Sequence, residues 1–194
     1  MSTDPFVVVH GKRFKRLLPA EEIQEIVQQL AHQIVQRHRS EELVCVVILK
    51  GAFMFANDLI RAMNIPCEIT FLRAQSYGAH MYSSGKVHIE FFTNHQRLQD
   101  RPVLIIEDIV DSGLTLQAIR DYLAQYRPKS IETVTLLLKP DTFQGTPPEY
   151  VGKAIAPLFV IGYGMDYNEG GRYLQDIYVL DSETAGTQSA SNNG

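Results

Sequence analysis

The strongest regularity in the chain is a set of apolar residues recurring at intervals of three and four. Ile23, Ile26, Val27, Leu30 and Ile34 share one helical face, which predicts an amphipathic helix over 20–38. Pro19 sits where a first-turn proline is tolerated, and Glu21 and Glu22 favour a helix N-terminus. The pattern then changes. Leu43 to Leu49 is continuously apolar and rich in valine, as in a parallel-sheet strand buried on both faces. Lys50 and Gly51 end it, and 52–63 reads as a second helix. Residues 68–74, 87–92, 103–106, 131–138, 159–161 and 177–180 read as further strands, and 115–126 as a third helix. Gln75 to Gly85 has no apolar period and reads as a long polar loop, functional or mobile in a compact domain. Residues 182–194 are small and polar, and disorder is expected there. Strands alternating with helices predict an α/β domain with a central parallel sheet, filling residues 1–181 as a single unit. In such sheets ligands bind beyond the carboxyl ends of the strands.

Composition narrows the class. The 194 residues fit one domain with a real core. A net charge of -4 suggests no nucleic-acid or anionic-membrane surface. No apolar run is long enough to span a bilayer, and the first residues lack a secretory pattern. Cys45 and Cys67 sit in or beside apolar segments and read as small hydrophobes in a reducing compartment. A soluble cytoplasmic protein is expected. His32 and His38 face different directions on the first helix and read as solvated side chains, not a metal pair.

Candidate chemistry concentrates after the strand at 103–106. Glu107 and Asp108 follow it directly, and Asp111-Ser112-Gly113-Leu114-Thr115 leads into a helix. Adjacent acids at a strand end can accept from the vicinal hydroxyls of a ribose or help hold a metal. A turn with Ser112, Gly113 and Thr115 presents N–H groups and hydroxyls at a helix N-terminus, which suits a phosphate monoester. The plainer reading is a strand–turn–helix connection capped by Asp111 or Ser112. The segment is neither a P-loop nor a dinucleotide fingerprint, since it lacks Gly-Lys-Ser/Thr and has one glycine where three are needed.

Val103 to Leu116, VLIIEDIVDSGLTL, resembles the phosphoribosyl-pyrophosphate motif of type I phosphoribosyltransferases, most of all the hypoxanthine-guanine branch. The resemblance continues in the family's order from about Phe6 to Leu180. Leu49-Lys50-Gly51-Ala52 is similar to its pyrophosphate loop, whose Lys50–Gly51 peptide can be cis, and Ser76-Tyr77-Gly78 to the start of its flexible loop. Leu138-Lys139 and Phe159 to Glu169 are similar to its purine-binding elements, and Arg172 falls at a pyrophosphate-contacting arginine. This implies the family's fold, a parallel sheet flanked by helices with a small hood from the terminal segments. It also implies a magnesium-dependent transfer of phosphoribosyl from phosphoribosyl pyrophosphate to a purine base.

The resemblance further implies the roles. Asp111 is the expected general base. Lys50, Gly51, Ser76, Tyr77, Glu107, Asp108, Asp111, Ser112, Gly113, Leu114, Thr115 and Arg172 would bind phosphoribosyl pyrophosphate. Lys139, Phe159, Val160 and Asp166 would bind the purine, and Glu107, Asp108 and Asp166 would hold Mg2+. Leu114 departs from the lysine common in eukaryotic members. Lys139 would favour 6-oxopurines, since an ammonium donates to an oxygen and repels an amino group. A homodimer or homotetramer is expected. Rival readings are a xanthine-preferring transferase, a phosphoribosyl-pyrophosphate-sensing regulator without catalysis, and a flavodoxin-like receiver.

Overall fold

The computed structural model describes residues 4–76, 87–92 and 94–181. In chain order the elements are β1 (Phe6–Val9), β2 (Lys12–Leu18), α1 (Ala20–His38), β3 (Leu43–Leu49), α2 (Phe53–Met63), β4 (Cys67–Ser76) and β5 (Val87–Phe91). A 3₁₀ turn at His95–Leu98 follows, then β6 (Pro102–Val110), α3 (Leu114–Ala124), β7 (Ser130–Leu138), β8 (Tyr150–Ala154), β9 (Val160–Ile161) and β10 (Ile177–Leu180).

Six strands form the main sheet in the order β5-β4-β3-β6-β7-β8. All its neighbours run parallel except β4 and β5. The apolar pattern explains the layering. Every residue from Leu43 to Ile48 is buried, because β3 lies centrally and is covered on both faces. Cys45 and Val47 join α1 and α2 on one face, while Val44, Val46 and Ile48 join α3 on the other. A second, antiparallel sheet, β1-β2-β10-β9, brings the two ends of the chain together.

Several expectations change. β6 continues four residues past Ile106, because Glu107, Ile109 and Val110 stay in register with Thr135, Leu137 and Leu138 of β7. Glu107 and Asp108 therefore lie within the strand rather than directly after it. Pro19 caps α1 from outside in an extended conformation, and Ala20 N donates to Asp176 Oδ1 at 2.8 Å. β1, β2 and β8 have no counterpart in the apolar pattern. His38 is buried at 2% exposure, between Glu41 and Glu132, and is not a solvated side chain. The cis peptide is Leu49–Lys50, one bond before the one named. Gly78 to Gly85 and the tail 182–194 lie outside the described residues. Among the described residues no helix is long and apolar enough to cross a membrane.

Candidate active site

The carboxyl ends of β3, β6 and β7 converge, and two cavities adjoin there. The larger, about 410 Å³, is lined by Lys50 and Gly51 from the end of β3, Asp108 and Asp111, Lys139, and Phe159, Val160, Asp166 and Arg172 around β9. The smaller, about 160 Å³, is lined by Glu107, Asp111, Ser112, Gly113 and Thr115. Asp111 borders both. Leu114 lines neither and is 68% exposed. Ser76 ends β4 on the neighbouring strand, and Tyr77 lies outside the described residues.

Glycines set the close approaches. Gly113 has φ +81°, a region open to glycine, and a Cβ on it would stand 2.5 Å from Gln144 O. That conformation turns the chain from β6 into α3, and leaves the first-turn N–H groups of the helix without intrahelical acceptors. A Cβ on Gly51 would meet Asp108 Oδ2, and one on Gly164 (φ +101°) would meet the Gly51 carbonyl oxygen 2.1 Å away. The chain after β3 thus touches the loop after β9 backbone to backbone and packs directly on the Asp108 carboxylate of β6.

The charges fall into three groups. Glu107 and Asp108 are adjacent on β6, Asp108 buried and Glu107 half-buried, and desolvation pushes both carboxyls up. Glu107 is pushed well above the ordinary carboxylate range, first by burial and then by the charge of Asp108. Its Oε2 has no partner among the described residues. Asp108 Oδ1 accepts from Ile109 N at 2.9 Å. Asp111 is the opposite case. Lys139 Nζ donates to its Oδ2 at 2.6 Å and Thr142 Oγ1 to its Oδ1 at 2.5 Å. Those bonds, Lys139 first, hold its carboxyl below the usual range. In the third group Arg172 pairs with Asp166 at 2.8 Å and donates to Gly164 O at 2.8 Å, while Lys50 pairs with Glu169 at 3.0 Å.

This arrangement offers a donor-rich turn for a phosphate, buried acids for hydroxyls, two cations for a second anion, and an exposed ring, Phe159, beside an ammonium. Thr142 escaped sequence reasoning, and Glu169 entered it only as the end of the segment similar to purine-binding elements. Thr142 follows Lys139 by three residues in Lys139-Pro140-Asp141-Thr142, a spacing that only a turn makes meaningful.

The model of the phosphoribosyl transferase domain matches residues 15–168. A hypoxanthine-guanine phosphoribosyltransferase of Aquifex aeolicus is 36% identical over 175 residues, 89% of this chain and 98% of that protein. A hypoxanthine phosphoribosyltransferase of Salmonella typhimurium is 39% identical over 171 residues, 85% of this chain and 96% of its own. The crystal structure of a hypoxanthine phosphoribosyltransferase from Staphylococcus aureus superposes with a TM-score of 0.81 at 39% identity, covering 88% of this chain and 92% of that one. With a domain match over most of the sequence and relatives of this identity along nearly their whole length, the chain belongs to the phosphoribosyltransferase family.

Proposed function

We propose that this protein is a purine-salvage enzyme that moves the 5-phosphoribosyl group from phosphoribosyl pyrophosphate to hypoxanthine, guanine or both. The products are IMP or GMP and pyrophosphate. One observation carries the reading: Lys139 and Asp111, 2.6 Å apart, face the cavity that Phe159 borders, beside the donor turn at 111–115.

A purine nitrogen forms a bond to ribose C1 as the bond from C1 to a pyrophosphate oxygen breaks. The carbon becomes oxocarbenium-like, and the leaving group gains charge. The turn at 111–115 would cradle the 5′-phosphate through N–H and hydroxyl donors. Glu107 and Asp108 would accept from the ribose hydroxyls, which would satisfy Glu107 Oε2. Lys50, Gly51, Ser76, Tyr77 and Arg172 would meet pyrophosphate. Phe159 would stack on the base and Val160 would offer its backbone.

Asp111 would take the N7 proton. In the free protein Lys139 holds it down. A purine 6-oxygen competes for the same ammonium, and each step of that exchange returns basicity to Asp111. Recognition of the 6-oxo group thereby activates the base.

Magnesium, when bound, neutralises charge gathering on the pyrophosphate. Glu107 and Asp108 would help hold one ion and Asp166 a second, and carboxylate donors, with Glu107 Oε2 unpaired among the described residues, fit a hard cation. Among the described residues no three His, Cys, Asp or Glu converge on one point, so substrate oxygens and water would complete the shell. A cytoplasmic homodimer or homotetramer belongs to the same reading, and light scattering checks the assembly.

The test is an assay with phosphoribosyl pyrophosphate, magnesium and each purine in turn. Nucleotide should form with hypoxanthine or guanine and not with adenine. No nucleotide from any base would overturn the reading. Lys139→Gln should abolish efficient use of hypoxanthine, and retained efficiency would remove its contact with the 6-oxygen.

A further inference from the structure

Thr142 sits in the turn after β7, against the side chain of Asp111. Its hydroxyl donates to Asp111 Oδ1 at 2.5 Å, while Lys139 holds Oδ2 at 2.6 Å. The same hydroxyl stands 3.3 Å from Lys139 O. A hydroxyl has one proton, and the nearer, charged oxygen is the stronger acceptor.

The backbone builds this contact. Lys139 N donates to Val110 O and Gln144 N to Ser112 O, both at 3.0 Å. Asp111 lies between Val110 and Ser112, and Thr142 lies between Lys139 and Gln144. Two backbone bonds therefore flank the side-chain bond. Phe143 N also donates to Lys139 O at 3.1 Å, and the Phe143 ring closes on Gly113.

From this geometry we propose that Thr142 is a positioning residue for the general base. Its hydroxyl fixes the plane of the Asp111 carboxylate through Oδ1, so that Oδ2 faces the purine after Lys139 has turned to the 6-oxygen. The inference rests on the reading of Asp111 as the base. The terminal torsion of an aspartate is broad, so the carboxylate needs an anchor to hold one orientation. Lys139 cannot be that anchor throughout, because the substrate competes for its ammonium. Thr142 faces the other oxygen and has no such competitor. The N7 proton passes to Oδ2, and the threonine keeps its own.

The experiment measures single-turnover transfer from phosphoribosyl pyrophosphate to hypoxanthine with magnesium, together with steady-state KM values. Thr142→Val keeps the shape and removes the donor, Thr142→Ala serves if the valine variant folds poorly, and Thr142→Ser restores the hydroxyl. The valine or alanine variant should slow transfer by about 10- to 100-fold, the scale of a misplaced reacting group. KM for both substrates should stay within about twofold, since the groups named for binding are intact. Serine should recover most of the rate. In an Asp111→Asn background, Thr142→Val should add nothing, because its effect runs through the carboxylate. The proposal is overturned by full-speed transfer without the hydroxyl, by a serine variant as slow as valine, by a loss confined to KM, or by an added loss in the double variant. Full-speed transfer by Asp111→Asn would instead remove the base itself, and with it the reading beneath this one.

Discussion

Two carboxylates on neighbouring strands, Glu132 buried and Glu107 half-buried, have opposite surroundings. Glu132, near the start of β7, has both oxygens engaged. Its Oε1 pairs with Arg37 at 2.9 Å, and its Oε2 accepts from Tyr150 at 2.8 Å and stands 3.1 Å from His38 Nε2. His38 Nδ1 in turn lies 2.6 Å from Glu41, which Lys129 also holds at 2.6 Å. Glu107, near the end of β6, has a buried oxygen with no partner and an acid beside it. A buried charge is tolerated when its hydrogen bonds are complete and is costly when they are not. One end of the sheet closes its polar network and ties α1, β7 and β8 together. The other end keeps its network open, at a cost to stability that a bound ligand would relieve.

Substitutions at the two ends should therefore fail in different assays. The largest effect belongs to Asp111→Asn, which should lower turnover by about 10²- to 10⁴-fold, the range of a lost general base. Its KM for phosphoribosyl pyrophosphate should change little, and steady-state kinetics checks both. Next is Glu132→Ala, which strands Arg37 and His38 and should cost about 3–5 kcal/mol in denaturant unfolding. The activity of its folded fraction should be intact, and a loss of specific activity would break the division between the ends.

Glu107→Gln should act in the opposite sense. A carboxyl raised in the folded state gives full stability below its ordinary value near 4.5 and loses it as pH rises through the folded value. The glutamine removes that loss, so the variant should exceed the parent by about 1–3 kcal/mol at pH 8 and converge with it near pH 4. Thermal melts across pH decide this, and a less stable variant at pH 8 would contradict it. The smallest effect is again Asp111→Asn, now read as stability. Its lowered carboxyl contributes above the ordinary value near 3.8 and loses that contribution as pH falls. The Asp111 side chain is 53% exposed, so solvent screening keeps the loss under about 1 kcal/mol at pH 7, vanishing in acid. One residue would then be first in rate and last in stability.

The pattern of apolar residues reveals some elements more readily than others, for physical reasons. α1 runs from Ala20 to His38 as its period predicts, because its buried face is aliphatic up to Ile34 and only His38 at its end is polar. β3 is legible because both its faces are dry. β2 is not, since only Phe14 and Leu18 of its seven residues are buried and four of the other five are charged. β8 is hidden by Gly152, which reads as a turn signal. A Cβ there would lie 2.6 Å from both Ile26 and a backbone oxygen of β7, so the strand needs that glycine to pack. In the site, Lys50, Asp111, Lys139 and Asp166 follow strands, Asp108 lies near the end of β6 and Phe159 just before β9, and the converging strands bring them to one cavity. Thr142 was not legible, because its contact depends on how one turn lies on another. The burial of His38 was hidden for a related reason. Its partner Glu132 is 94 residues away, and no local period encodes that pairing.

Gly51 and Gly164 have one more consequence. With the Gly51 carbonyl against Gly164 and the Gly51 α-carbon against the Asp108 carboxylate, neither glycine has a side chain that could change rotamer or trade volume with a neighbour. Elsewhere in the core a methyl lost on one side can be matched by one gained on the other. Here the amino-acid alphabet shrinks to a single letter, and compensation has no material to work with. The spacing of the cavity walls is thereby insulated from the gradual exchange of volumes by which the rest of the interior can drift.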